Sequence, residues 1–180
     1  TRRCSDVAKY RKMQLFDVDI RGGISFHESD TLSAGDELVV FDTPWARVGL
    51  GICFDVRFPH LAALLRSAGA DVLVFPGAFN MTTGPMHWEL LARARAVDSQ
   101  SWVLMASPAR NMEASYHAWG HSSVVSPWGV VTATTEAEPT VVVADVDLAE
   151  VDAARTGVPV GAKLRHDLYS LQWVGRRPAR

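Results

Sequence analysis

Three strand-length apolar runs dominate the middle of this chain: ARVGLGIC (46–53), DVLVFPGAF (71–79) and SWVLMASP (101–108). A stretch of helical composition separates each pair. HLAALLRSAGA (60–70) has Pro59 at its start and Gly69 near its stop, and PMHWELLARARAVDSQ (85–100) opens on Pro85. Strand–helix–strand–helix–strand predicts parallel strands joined by helical crossovers, and so an α/β layer structure. The unbroken apolar character of 71–79 fits a strand covered on both faces. DELVVFDT (36–43) reads as a further strand, joined to the first run by a Pro-Trp turn. Downstream, HSSVVSPWGVVTATTEAEPTVVVADVDL (121–148) has Ser-Pro-Trp-Gly and Glu-Ala-Glu-Pro breaks between strands, which is hairpin chemistry. The sheet is therefore expected to be mixed. Its parallel strands would end on one edge, where open α/β sheets bind ligands, and the loops there are 53–57, 79–83 and 107–111.

The 180 residues suit one domain spanning 1–180, with no repeat or linker dividing it. A formal charge of −2 with scattered basic residues gives no footprint for nucleic acid. Apolar runs such as 141–144 fall far short of the roughly 20 residues of a membrane span. The opening TRRCSDVAKYRK has no apolar core of a signal peptide, and Cys4 and Cys53 make no disulfide framework. A cytoplasmic protein is expected, with no membrane or nucleic-acid partner.

Cys53 falls where the first run meets the first helix. A thiol there can feel a helix N-terminus and nearby cations, both of which favour thiolate. Gly49 and Gly51 allow close packing beneath it, and the Phe54 N–H would point where an oxyanion develops. Yet free cysteines are among the most buried and inert residues, so these local features leave both readings open. A cysteine nucleophile commonly takes histidine as its base. Of the six histidines only His60 could approach the expected cleft, and it belongs to the helical stretch. HAWGH (117–121) suits a turn better than a metal-binding helix, and HWELL lacks a second histidine, so no metal site is expected. Either Cys53 is inert, or its helpers are a lysine and carboxylates. A redox or metal protein built on Cys4 and Cys53 is the weakest reading, because the two thiols lack metal or redox spacing.

The stretches AKYRKMQLFDVDI (8–20), GLGICFDVRFP (49–59), PGAFNMTTGPMHWELLARARAVDSQ (76–100), ASPARN (106–111) and YHAWGHSSVVSPWG (116–129) closely resemble the nitrilase, or carbon–nitrogen hydrolase, superfamily, and within it the ω-amidase branch. The resemblance runs from about Val7 to Tyr169. It implies an α-β-β-α sandwich with mixed sheets, here lacking the N-terminal third, and a homodimer formed through helix 85–100 and the segment 158–173. It implies a Glu–Lys–Cys set assisted by a second glutamate, in which Cys53 is the nucleophile, Lys12 the lysine and Glu28 the supporting glutamate. A lysine beside the sulfur would favour thiolate and then stabilise the tetrahedral oxyanion together with the Phe54 N–H. Arg57 matches an arginine for the substrate's carboxylate, which its planar fork suits. The alternative for Arg57 is a local ion pair with Asp55. Phe79 and Thr83 match loop residues of that substrate pocket, with Phe79 equally suited to the core, and Asn80 and Thr82 could cap or support the loop.

Three departures accompany the match. Gln14 stands where histidine is usual, and His60 where many relatives have glutamate. The principal general-base glutamate of relatives lies upstream of the lysine motif, and no glutamate precedes Lys12 here. The activity implied is hydrolysis of the ω-amide of small dicarboxylic keto-acid monoamides, such as α-ketoglutaramate and α-ketosuccinamate, through a cysteine thioester and without a cofactor. Alternatives are another carbon–nitrogen hydrolase of the deaminated-glutathione amidase type, which PGAFNMTTGP and ASPARN argue against, or a truncated chain or pseudoenzyme that binds without turnover.

Overall fold

A computed structural model describes residues 6–19 and 25–175. A short antiparallel hairpin comes first, β1 (Asp17–Asp19) and β2 (Ser25–His27), with Val18 opposite Phe26. A 3-10 turn, Glu28–Asp30, follows directly. Then come β3 (Val40–Asp42), β4 (Arg47–Leu50), a second 3-10 turn at Cys53–Arg57, α1 (Pro59–Ser67) and β5 (Val72–Pro76). The remainder is α2 (Thr83–Ser99), β6 (Trp102–Ala106), β7 (Ser123–Val125), β8 (Val131–Thr134) and α3 (Ala149–Gly157).

The last six strands form one mixed sheet in the order β3-β4-β5-β6-β7-β8. Its centre, β4-β5-β6, is parallel, and β3, β7 and β8 flank it antiparallel. The two crossover helices pack together on one face, because strand alternation sends Leu73, Phe75, Val103 and Met105 towards them. Opposing these are Leu61 and Leu65 of α1 and Trp88, Ala92 and Ala96 of α2, all buried. At roughly 1.5–3 kcal/mol per fully buried large apolar side chain, this layer is the main source of stability. The Trp88 indole also donates to the His121 carbonyl at 2.6 Å, pinning the 117–121 turn to α2. That turn uses left-handed backbone at Gly120 and His121, as HAWGH suggested.

The opposite face is thinner. Val72, Trp102 and Val124 pack there against Val151 of α3, while Val74 and Leu104 are only partly buried. The expectation that 71–79 is covered on both faces therefore holds at Val72 but needs correcting at Val74. The strand expected over 140–148 needs correcting too. Residues 140–147 join no ladder, and Val141 and Val143 are each 86 % exposed. A run of strand composition becomes a strand only where it pairs with a neighbour, and no such pairing forms here among the described residues.

Helix boundaries follow local chemistry. Asn80 Oδ1 accepts the Thr82 and Thr83 N–H groups and the Thr83 hydroxyl, so α2 begins at Thr83 and carries Pro85 harmlessly in its first turn. It ends at Gln100, whose φ of 49° breaks the helix. Among the described residues no helix is long and apolar enough to cross a membrane.

Candidate active site

β4 stops at Leu50, and the chain turns at Cys53 with φ of 48°, a left-handed conformation that is costly for a side chain with a Cβ. The strained turn is accommodated by bare backbone on the next strand end. A Cβ on Gly77, just past β5, would lie 2.6 Å from Cys53 Cα, so only glycine fits there. Gly51 likewise leaves room for the Phe75 ring, which a Cβ would approach to within 3 Å. Cys53 Sγ lies 3.9 Å from the Ala78 carbonyl oxygen. Burial pushes the thiol above its ordinary value, outweighing the opposite pull of backbone hydrogen bonding at Ala78, the Lys12 charge and backbone hydrogen bonding at Phe54. A helix N-terminus and nearby cations were expected to favour thiolate; desolvation outweighs them and favours the thiol.

Lys12 reaches the site from a segment without regular secondary structure. Its Nζ lies 2.5 Å from Glu28 Oε2, and both side chains are largely buried. The same oxygen accepts the Phe16 N–H at 2.8 Å, and the Lys12 carbonyl accepts the Gly35 N–H at 2.8 Å. Glu28 thus fixes the ammonium from the base of the β1–β2 hairpin. Buried lysine and glutamate tolerate this only as a pair.

Arg57 does not pair with Asp55. Its guanidinium lies 4.7 Å above the Phe79 ring and meets His87 Nδ1 at 3.2 Å. Guanidinium has donors only, so Nδ1 accepts and the imidazole carries its proton on Nε2. Burial lowers the Arg57 pKa from its ordinary value, and ionisation of Cys53 would oppose that shift. Phe79 is both core and wall: it packs edge-on against Trp88 and supports the cation above it. Asp55 is fully buried and accepts hydrogen bonds from Ile52 N–H, Tyr10 Oη and Gln14 N–H, at 2.9, 2.7 and 2.9 Å.

Cys53, Lys12, Glu28, Phe54, Arg57, Phe79 and Thr83 all line one cavity of about 1270 Å³, open at the strand ends and walled mainly by apolar atoms. Among the described residues Glu28 is the only carboxylate lining it. Of the three loops placed there by topology, 79–83 lies along it fully, 53–57 contributes Cys53, Phe54 and Arg57, and 107–111 contributes only Ser107 and Pro108. His60 is exposed on α1 and does not line the cavity. The histidine that lines the cavity is instead His117, and His87, which nothing in its local sequence marked, reaches the site through Arg57. Tyr116 was also missed: its hydroxyl donates to the Ala78 carbonyl at 2.7 Å, and burial raises its pKa. Cys4 lies outside the described residues.

A free cysteine in a strained turn, a lysine–glutamate pair and an apolar-walled pocket with one half-buried arginine are groups of the kind that covalent chemistry on a small polar molecule uses. The family model for carbon-nitrogen hydrolases matches residues 2–156, and the chain belongs to that family. It is 55% identical to the omega-amidase NIT2 of Xenopus tropicalis over 166 residues, which is 92% of this chain and 60% of that protein. The omega-amidase NIT2 of Homo sapiens gives the same identity and the same coverage. The chain thus spans about 60% of the length of these curated relatives. Among solved structures, the Caenorhabditis elegans NitFhit protein matches at TM-score 0.83 and 42% identity, covering 92% of this chain and 40% of that one. Saccharomyces cerevisiae Nit3, of branch 10 of the nitrilase superfamily, matches at TM-score 0.79 and 42% identity, covering 89% and 55%.

Proposed function

We propose that this protein is an ω-amidase, hydrolysing the terminal amide of small dicarboxylic keto-acid monoamides such as α-ketoglutaramate and α-ketosuccinamate. The observation that carries the reading is the meeting of Cys53, Lys12 and Arg57 in one cavity, on a chain more than half identical to omega-amidases. Arg57 holds the substrate carboxylate through its planar fork, and the Phe79 ring and Thr83 shape the pocket around it. The reacting amide then lies over the Cys53 turn. A base takes the thiol proton as sulfur attacks the amide carbon. Negative charge gathers on the carbonyl oxygen, where Lys12 and the Phe54 N–H stabilise it. The C–N bond breaks, the nitrogen leaves as ammonia after gaining a proton, and water hydrolyses the thioester to the dicarboxylate.

Glu28 already engages Lys12, so its role is to hold the ammonium charged and in place rather than to activate water. The base for thiol and water is the second glutamate that the family resemblance implies. The test is ammonia release from both keto-acid amides by the product of the whole reading frame, run beside a Cys53→Ala variant. Full activity in that variant would sink the mechanism. A panel that includes deaminated glutathione separates the ω-amidase reading from the related amidase.

The larger assembly follows the same reading. The thinly covered sheet face and the unpaired 140–148 segment are where a second β layer would complete an α-β-β-α sandwich. Met86, Leu90 and Val97 form an exposed apolar stripe along α2, suited to a two-fold homodimer. A mechanism dependent on a free thiol suits a reducing cytoplasm.

A further inference from the structure

We propose that Asp55 is a positioning residue, which sets the Lys12 ammonium against the Cys53 sulfur by clamping the segment that carries one to the turn that carries the other. This rests on the reading of Cys53 and Lys12 as nucleophile and electrostatic partner. The segment around Lys12 belongs to no helix or sheet, so no backbone ladder fixes it relative to Cys53. Its ties to the Cys53 turn run instead through the Asp55 side chain. Tyr10 and Gln14, two residues to either side of Lys12, both donate to the Asp55 carboxylate, across 45 and 41 residues of sequence. The same carboxylate accepts the N–H of Ile52, the residue before Cys53, and is itself borne two residues after Cys53. Each reacting residue is therefore bracketed by groups bound to one carboxylate.

Chemistry selects aspartate here. The site demands three acceptor positions away from bulk solvent, since Asp55 is fully buried. An amide could accept only on its oxygen and would aim an NH2 at donors. A buried carboxylate bonded to three donors is also directional, because hydrogen bonds to a charged acceptor are short and strong. Asp55 has no bond to Arg57, so it does not act through the substrate-carboxylate side of the cavity; its ties run only to the Lys12 and Cys53 sides.

The decisive variant is Tyr10→Phe, which keeps the ring and removes one of the three bonds; Asp55→Asn is the harsher companion. Both are made in the product of the whole reading frame and assayed for turnover, for melting temperature and for the pH midpoint of Cys53 alkylation by iodoacetamide. Lys12 lowers the thiol midpoint through its charge, so a displaced ammonium must raise it. Tyr10→Phe should lower kcat by about 10-fold with KM nearly unchanged and move the midpoint upward, since misplacement of about 1 Å can cost about 100-fold. In a Lys12→Met background, Tyr10→Phe should leave the midpoint where Lys12→Met puts it. A Tyr10→Phe protein that loses melting temperature but keeps the wild-type midpoint and kcat would overturn the proposal. If Lys12→Met raises the midpoint and Tyr10→Phe does not, Asp55 alone is misassigned. If Lys12→Met leaves the midpoint unmoved, the Lys12 reading fails, and the clamp falls with it.

Discussion

His87 Nδ1 meets the Arg57 guanidinium at 3.2 Å, so α2 and the Cys53 turn, 30 residues apart in sequence, are joined at the cation that faces the cavity. Phe79 supports the same cation from below. Losing the His87 acceptor should loosen Arg57 without touching the thiol. His87→Leu should raise KM for carboxylate-bearing amides about 10-fold, the scale of one hydrogen bond to a charged group, and leave kcat nearly unchanged. A matched substrate whose carboxylate is replaced by a neutral amide should show no such change. Equal effects on both substrates would remove Arg57 from carboxylate recognition.

Burial, rather than the neighbouring charge, sets the ionisation of Cys53. Its alkylation rate should rise with pH to a midpoint above the roughly 8.5 of a free thiol. A raised thiol pKa stabilises the folded state below the ordinary value, and that contribution is lost as pH climbs through the folded value. Denaturant titrations of wild type and Cys53→Ala should therefore diverge on the alkaline side, with wild type losing more. A midpoint below 8 would reverse the ordering of effects given above.

Lys12 and Glu28 are expected to fail differently. Lys12→Met removes the charge near the oxyanion and should lower kcat about 100-fold or more, as loss of one oxyanion donor does. Glu28→Gln keeps an acceptor for the Phe16 N–H but no longer holds the ammonium by charge. It should retain the fold by circular dichroism and lose less activity than Lys12→Met.

Gly77 tests the backbone contact under the nucleophile. Gly77→Ala places a methyl 2.6 Å from Cys53 Cα, so the turn must shift. Overpacking of this kind costs about 1–3 kcal/mol, and a melting temperature lowered accordingly should accompany near-complete loss of Cys53 turnover. An active, undisturbed Gly77→Ala protein would mean the two strand ends are less tightly coupled than described.

The exposed stripe on α2 gives the assembly prediction. Leu90→Glu should convert a dimer to monomer in sedimentation velocity, because a charge cannot be buried unpaired at a two-fold interface. No change in sedimentation would move the interface elsewhere.

Much of this was legible in the residues. The spacing of 46–53, 71–79 and 101–108 implied the parallel centre of the sheet, because only crossover helices fit between such runs. It also placed Cys53 and Phe79 at the same edge. Lys12 and Glu28 were legible only through motif resemblance, since an irregular segment has no period to read. His87 was hidden because its role depends on the rotation of α2 against a turn 30 residues away. Asp55 was offered only as the alternative partner for Arg57, two positions on, and its carboxylate instead turns inward to Tyr10, Gln14 and Ile52. The strand expected in 140–148 has the right composition and no neighbour, which composition alone does not reveal.

The left-handed backbone at Cys53 has one more consequence. A residue with a Cβ held there costs about 1–2 kcal/mol relative to glycine, so position 53 is one at which the protein would fold more securely without its nucleophile. A Cys53→Gly protein should be inert yet melt later than wild type. Reactivity and durability are opposed at this one residue, and any search for hardier variants of the protein will tend to discard the sulfur first.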